Sequence, residues 1–204
     1  MQIPIRVIGV SIAALLVLAS CAATRTTAQW RDQSVDKRYA KILVIGVSEK
    51  LILRRSFEDK LVAELQQRGV NAMSGARIMP AEDKISRETV KAAIEGKGFD
   101  GVLVTHMVGV REEEVYNPPT YRPTVSSYNR SYYRYYSRVY DYVYEPGYYD
   151  RFKVVRLETN LYDTGTENII WSIQSDTVDS DAPQKVIDSV IENTIKALGA
   201  QKLI

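Results

Sequence analysis

Few side chains in this 204-residue chain are equipped for chemistry, because it holds one cysteine, Cys21, and one histidine, His106. A zinc site needs three or four such ligands and a Cys/His nucleophile would use both residues, so neither is expected; a lone cysteine also forms no internal disulfide. His106 falls on the face of Val102, Val104, Val108 and Val110 in an expected strand, the place of a packed core residue or of a strand end. Glu112-Glu113-Glu114 has the carboxylates for acid–base work or a divalent cation, but a charge run is more often a solvated face, and that is our reading. Gly96 to Gly101 (GKGFDG) is glycine-rich, yet it leaves a helix and enters a strand, the reverse of a phosphate-binding loop. No glycine-flanked nucleophilic serine is present, and Asp163-Thr164-Gly165-Thr166 has the residues of a turn. The expectation is a protein that is not an enzyme and holds no metal or cofactor.

The unusual composition lies elsewhere. Residues 116–149 hold twelve of the 14 tyrosines, interleaved with Arg122, Arg130, Arg134 and Arg138, while Pro118, Pro119, Pro123, Pro146 and Gly147 interrupt regular structure near both ends. Residues 139–144 (VYDYVY) alternate with period two, which sets Tyr140, Tyr142 and Tyr144 along one face of an extended strand. Three roles are open. One is a low-complexity loop or hairpin extension whose rings pack on one another and on arginine. Another is a surface for a glycan or a partner protein, since tyrosine offers a large rigid area and a hydroxyl at small entropic cost. The third is a membrane-inserting arm; a membrane strand needs about ten residues of alternating polarity, and the prolines of the opposite limb spoil the partner strand. The candidate binding residues are Tyr132, Tyr133, Tyr135, Tyr136, Tyr140, Tyr142 and Tyr144, with Arg134 and Arg138.

The flanking sequence must supply the scaffold. Residues 41–47 (KILVIGV) form a short, continuous, β-branched apolar run suited to a strand covered on both faces. Ser56-Phe57-Glu58-Asp59 has the layout of a capping box, followed by Phe57, Leu61, Val62 and Leu65 at helical spacing until Gly69. Residues 70–73 suit a short strand, Ser86 a second helix cap, and 101–110 (GVLVTHMVGV) a third strand. Residues 151–162 and 168–178 alternate around a five-residue turn, giving a hairpin, and 182–198 carries an amphipathic pattern with Pro183 in its first turn. The fold expected is a single α/β domain with three-layer character and a mixed sheet: βαβαβ, then a β-hairpin and a C-terminal helix. It comprises residues 41–111 and 151–204, interrupted by the Tyr-rich insertion 112–150.

The start of the chain reads as an address. One positive charge precedes the apolar run Val7–Ala19, which is about as long as a signal peptide's and too short to span a bilayer comfortably. Leu18-Ala19-Ser20-Cys21 resembles the lipobox of bacterial lipoproteins. That resemblance implies that residues 1–20 are a signal peptide, and that Cys21 carries a covalent lipid of three fatty chains, palmitate among them. Ala22 in place of aspartate implies the outer membrane, on its periplasmic face. Residues 21–40, polar and without periodicity after the cysteine, then read as a lipidated flexible tether, with Trp30 as a contact to the domain or the membrane interface.

Residues 157–163 (LETNLYD), Thr166 and Ile169-Ile170-Trp171, followed by the terminal helix, are similar to a bacterial lipoprotein family of unknown function. More loosely, a lipobox followed by βαβαβ and a late hairpin resembles curli-secretion lipoproteins and penicillin-binding-protein activators, an architectural likeness that carries no site residues. Asp163-Thr164-Gly165-Thr166 also resembles the active-site tetrapeptide of aspartic proteases. That chemistry needs two such aspartates sharing a proton, hence a symmetric dimer, and leaves a hydrolase as a remote alternative.

With 27 basic against 25 acidic residues the chain has no field to hold a polyanion, and a lipid-anchored protein outside the cytoplasm rarely meets nucleic acid, so none is expected as a partner. The function expected is a lipid-anchored binding or scaffolding module of the cell envelope whose partners are the membrane and an envelope protein or glycan. The alternative is an oligomeric assembly or secretion component with the insertion as a pore or membrane arm.

Overall fold

Residues 41–47 become strand β2 (Lys41–Val47), and the two faces of that strand enter two separate cores. Ile42 and Val44 pack with Leu61, Leu65, Ile191 and Leu198 on one side, while Leu43 and Ile45 pack with Met79, Ala93 and Phe99 on the other. The period-two alternation of a strand makes one apolar run serve both layers. The computed structural model describes residues 24–79, 85–124, 141–179 and 183–204.

The elements follow as β1 (Thr24–Arg31), β2, α1 (Leu51–Gln67), β3 (Asn71–Ser74), α2 (Gly75–Ile78), α3 (Arg87–Ile94), β4 (Gly101–Asn117), β5 (Thr120–Thr124), β6 (Asp141–Glu145), β7 (Tyr148–Asp163), β8 (Ile169–Val178) and α4 (Pro183–Ala200). Six strands form one mixed sheet in the order β1-β8-β7-β4-β2-β3, with β2 parallel to both β3 and β4 and the other pairs antiparallel. Helices α1 and α4 cover one face and α2 and α3 the other, so the α/β class, the mixed sheet, the hairpin and the C-terminal helix are as expected. Ser86 caps α3 through the Thr89 amide, and the β7–β8 turn falls at residues 164–168.

Two expectations about the first half are corrected. Residues 24–31 are not a tether: they form β1, an edge strand paired with β8 from Thr24↔Thr177 to Arg31↔Trp171. Thr24 is buried, and its hydroxyl meets those of Thr177 and Ser189. The strand was hidden because an edge strand draws its stability from ladder hydrogen bonds and leaves one side in water, so it needs no apolar pattern. Helix α1 begins five residues before Ser56, at Leu51, and its N-cap Lys50 makes no side-chain cap bond.

With the helix starting at Leu51, Ser56 lies inside it, and Asp59, the reciprocal partner of the expected box, pairs with Arg77; Glu58 has a task of its own. Its carboxylate is fully buried, and Oε1 accepts hydrogen bonds from the Gly46 amide and Arg54 Nε, both at 2.9 Å. Oε2 accepts from Ser74 Oγ at 2.7 Å and the Ala76 amide at 2.6 Å. One side chain therefore ties α1 to the end of β2, the end of β3 and the start of α2. A buried carboxylate is tolerable only with such complete satisfaction, and removing it strands four donors. We predict that Glu58→Ala costs about 3–5 kcal/mol, a large share of the ~5–15 kcal/mol typical of a domain. Urea unfolding would show it as a lower midpoint at unchanged slope.

Candidate functional site

β4 is 17 residues long, but β2 accompanies it only from Gly101 to His106. Likewise β8 accompanies β7 only from Val154 to Tyr162. Between themselves β4 and β7 continue without interruption to Asn117↔Tyr148. Past Arg111↔Val154 they form a two-stranded ribbon; measured from Val110↔Val155, where β8 still flanks β7, to Asn117↔Tyr148 the ladder rises about 23 Å at roughly 3.3 Å per residue.

A bulge between Met107 and Gly109 marks its root. The extra residue flips the face of everything after it: His106 stands opposite Glu158 and Val110 opposite Val155, on opposite sides of the sheet. The expectation that His106, Val108 and Val110 share one face is therefore corrected. At the root, Arg156 Nε and Arg111 Nη1 reach Asp176 on β8 at 2.8 and 2.7 Å. The Arg156 hydrogen bond, working against burial and joined by Arg111, holds the Asp176 carboxyl down at about 2.

Along the ribbon, register arranges the side chains by charge. One face carries Glu112 opposite Lys153, Glu114 opposite Arg151 with 2.6 Å between Oε1 and Nε, and then Tyr116 against Tyr149 with ring centroids 4.9 Å apart. The acidic triplet is thus inside the strand, with Glu112 and Glu114 on this face and Glu113 on the other, where it pairs with Arg111. Its tip exposes four large side chains: Val115 (46%), Tyr116 (51%), Tyr148 (56%) and Tyr149 (64%). Gly147 leaves room for the Tyr116 hydroxyl, which a Cβ there would meet at 2.5 Å.

Past the tip, β5 and β6 pair as a separate ribbon from Thr120↔Glu145 to Thr124↔Asp141. The proline-bearing limb does find a partner, Pro123 opposite Tyr142, contrary to expectation. Each strand of a two-stranded ribbon has an open edge, where a missing N–H costs nothing. The insertion expected over 112–150 accordingly begins and ends inside β4 and β7.

Of the residues singled out from sequence, Tyr142 and Tyr144 lie on β6, opposite Pro123 and Tyr121. Cys21, Tyr132, Tyr133, Arg134, Tyr135, Tyr136, Arg138 and Tyr140 lie outside the described residues. Sequence reasoning passed over the ribbon tip, although Val115-Tyr116 and Tyr148-Tyr149 were visible as paired apolar steps at the ends of two charged stretches. Among the described residues no group of three His, Cys, Asp or Glu is placed to hold a metal ion, and no helix is long and apolar enough to cross a membrane.

Asp163 sits at the opposite end of β7, in the turn. Its Oδ1 accepts from the amides of Gly165 (2.9 Å) and Thr166 (3.0 Å), and its Oδ2 from Lys37 Nζ (2.6 Å) and the Tyr39 hydroxyl (3.2 Å). Burial raises its pKa, but the Lys37 hydrogen bond and charge and the turn amides outweigh it and hold the carboxyl at about 2. A protease dyad requires the reverse, a carboxyl that retains a shared proton.

No family model and no curated protein matches the chain. Among solved structures, a PelC dodecamer from Paraburkholderia phytofirmans is similar over 89% of this chain and 99% of that one, at 14% identity and a TM-score of 0.46. A PDZ domain protein from Parabacteroides distasonis is similar over 86% of this chain and 35% of that one, at 10% identity and 0.41. Lipoprotein GNA1162 from Neisseria meningitidis is similar over 78% and 99%, at 16% identity and 0.38. At these values the likenesses assign neither a family nor an activity, and the resemblance drawn from residues 157–171 stays a resemblance.

Two predictions follow from this geometry. Asp163 and Asp176 both have folded-state pKa values near 2, below their ordinary 3.8, so the stability they contribute is complete above about pH 4 and is lost as pH falls through about 2. The urea midpoint should drop across that window, and the double variant Asp163→Asn, Asp176→Asn should be less stable at pH 7 with a flatter acid limb. Second, replacing residues 118–147 by an Asn-Gly turn between the paired Asn117 and Tyr148 should leave a domain with one cooperative transition, its Tm within about 4 °C of the parent.

Proposed function

We propose that this protein is a lipid-anchored envelope lipoprotein on the periplasmic face of the outer membrane. It acts as a non-enzymatic binding or scaffolding module through its tyrosine-rich segment. The observation that carries this reading is the ribbon. The β4–β7 ladder, rooted in the core by the Arg111–Asp176–Arg156 brace, carries the chain to Asn117 and back from Tyr148, and nine of the 14 tyrosines lie in sequence between those two residues.

Cys21 supplies the anchor and needs no other cofactor. Each buried methylene adds about 0.8 kcal/mol, so several acyl chains hold the domain stably at the membrane. Confinement raises its effective concentration toward an envelope protein or glycan, and a modest tyrosine surface then suffices. A second reading, an oligomeric envelope assembly, is favoured by one observation: past His106 and before Val154 both outer edges of the ribbon lack strand partners among the described residues. The size of the detergent-extracted particle separates the two.

The test is intact mass and membrane fractionation of the full-length protein beside Cys21→Ser in a Gram-negative host. Acyl mass and outer-membrane sedimentation are expected for the parent and neither for the variant; an unmodified, unsedimented parent overturns the reading. Substituting Tyr132, Tyr133, Tyr135, Tyr136 and Tyr140 by serine should abolish crosslinking to envelope components while leaving Tm within about 4 °C.

A further inference from the structure

The register of the sheet fixes where the chain enters relative to the ribbon. Thr24 pairs with Thr177, Thr177 with Val155, and Val155 with Val110, so the first residue of β1 stands level with the ribbon's root. β1 runs parallel to β7, both being antiparallel to β8. The N-terminal end of β1 therefore lies at the end of the sheet toward which the ribbon projects. Thr24 is buried and held by Thr177 and by Ser189 of α4, so this entry point is fixed to the core.

From Cys21 to Thr24 is three residues, at most about 11 Å of chain at full extension. From the same level to the ribbon's tip is about 23 Å. The tip outreaches any position that Cys21 can take. We infer that the ribbon tip, formed by Val115, Tyr116, Tyr148 and Tyr149, rests in the headgroup layer of the bilayer that anchors the chain, an inference that depends on the lipidation of Cys21 proposed above.

The tip has the chemistry for that place. Tyrosine puts an apolar ring and a hydroxyl at the depth where hydrocarbon gives way to water, and the three tip tyrosines are each more than half exposed. Behind them the Glu112–Lys153 and Glu114–Arg151 pairs line one face of the shank, and carboxylates and cations on a lipid-facing surface oppose deeper entry. Pro118 and Pro119 on one side and Pro146 and Gly147 on the other interrupt the ladder directly past the tip, so it need not continue inward on one line. The occupant of this surface is phospholipid, and anchoring and tip contact act together as two attachments of one domain, which orients it.

The experiment uses full-length acylated protein in vesicles of phosphatidylethanolamine and phosphatidylglycerol. Cys21 is the only cysteine, and in the lipidated protein its sulfur is taken up by the lipid, so Tyr149→Cys or Asn168→Cys introduces a single free thiol for a nitroxide label. Asn168 lies in the turn at the opposite end of the β7–β8 hairpin. The label at 149 should show a several-fold loss of accessibility to a water-soluble nickel chelate and a gain toward oxygen relative to the label at 168. Equal nickel accessibility at the two sites, with acyl mass present on Cys21, overturns this inference and leaves the anchoring intact. Absence of acyl mass overturns the anchoring and this inference with it.

Discussion

The antiparallel ladder between β4 and β7 is the member on which the rest of the structure depends. Its inner half is the middle of the sheet, flanked by β2 and β8 and sandwiched between two apolar cores. Among the described residues its outer half has no flanking strands and no helix over it. Backbone hydrogen bonding makes the two halves one object, because each pair fixes the twist and spacing of the next. Burial stabilises the inner half; cross-strand charge pairs, the Tyr116–Tyr149 contact and the Asp176 brace hold the outer one. The core thus gives an exposed, polar ribbon a definite direction.

A second constraint sets the other side of the sheet. Glu58 gathers the ends of β2 and β3 and the starts of α1 and α2 on one carboxylate, in the region where open α/β sheets commonly bind ligands. Here the hydrogen-bonding capacity of that carboxylate is spent internally. Asp163 shows the same economy at the β7–β8 turn, where Lys37, Tyr39 and two turn amides share its oxygens. Glu58 and Asp163 are both structural ties, their oxygens taken up by hydrogen bonds within the fold.

Much of the core was legible because burial writes a periodic pattern. Residues 41–47, the Leu61/Leu65 stripe, the 151–178 hairpin and the terminal helix all bury what their spacing implies. What escaped was held by forces that leave no such pattern. β1 is polar because it is an edge; α1 starts at Leu51, where no side-chain cap bond marks it; His106 and Val110 part company because a bulge shifts the phase. The choice between loop and hairpin extension stayed open because ion pairs across a ladder look, in one dimension, like an unstructured charge run. The tyrosine density was plain, whereas the placing of Tyr116, Tyr148 and Tyr149 at the end of a ladder depends on a pairing between residues more than thirty positions apart.

The claim most exposed to test is that β4 and β7 stay paired beyond the sheet. Native-state hydrogen exchange of the full-length protein would decide it amide by amide. The account predicts that amides within 110–117 and 148–153 exchange more slowly than in an unstructured peptide yet faster than those of 101–106 and 158–162, with protection declining toward Asn117 and Tyr148. Exchange at the unstructured rate throughout 110–117 and 148–153 would show that no ribbon exists and would contradict the account.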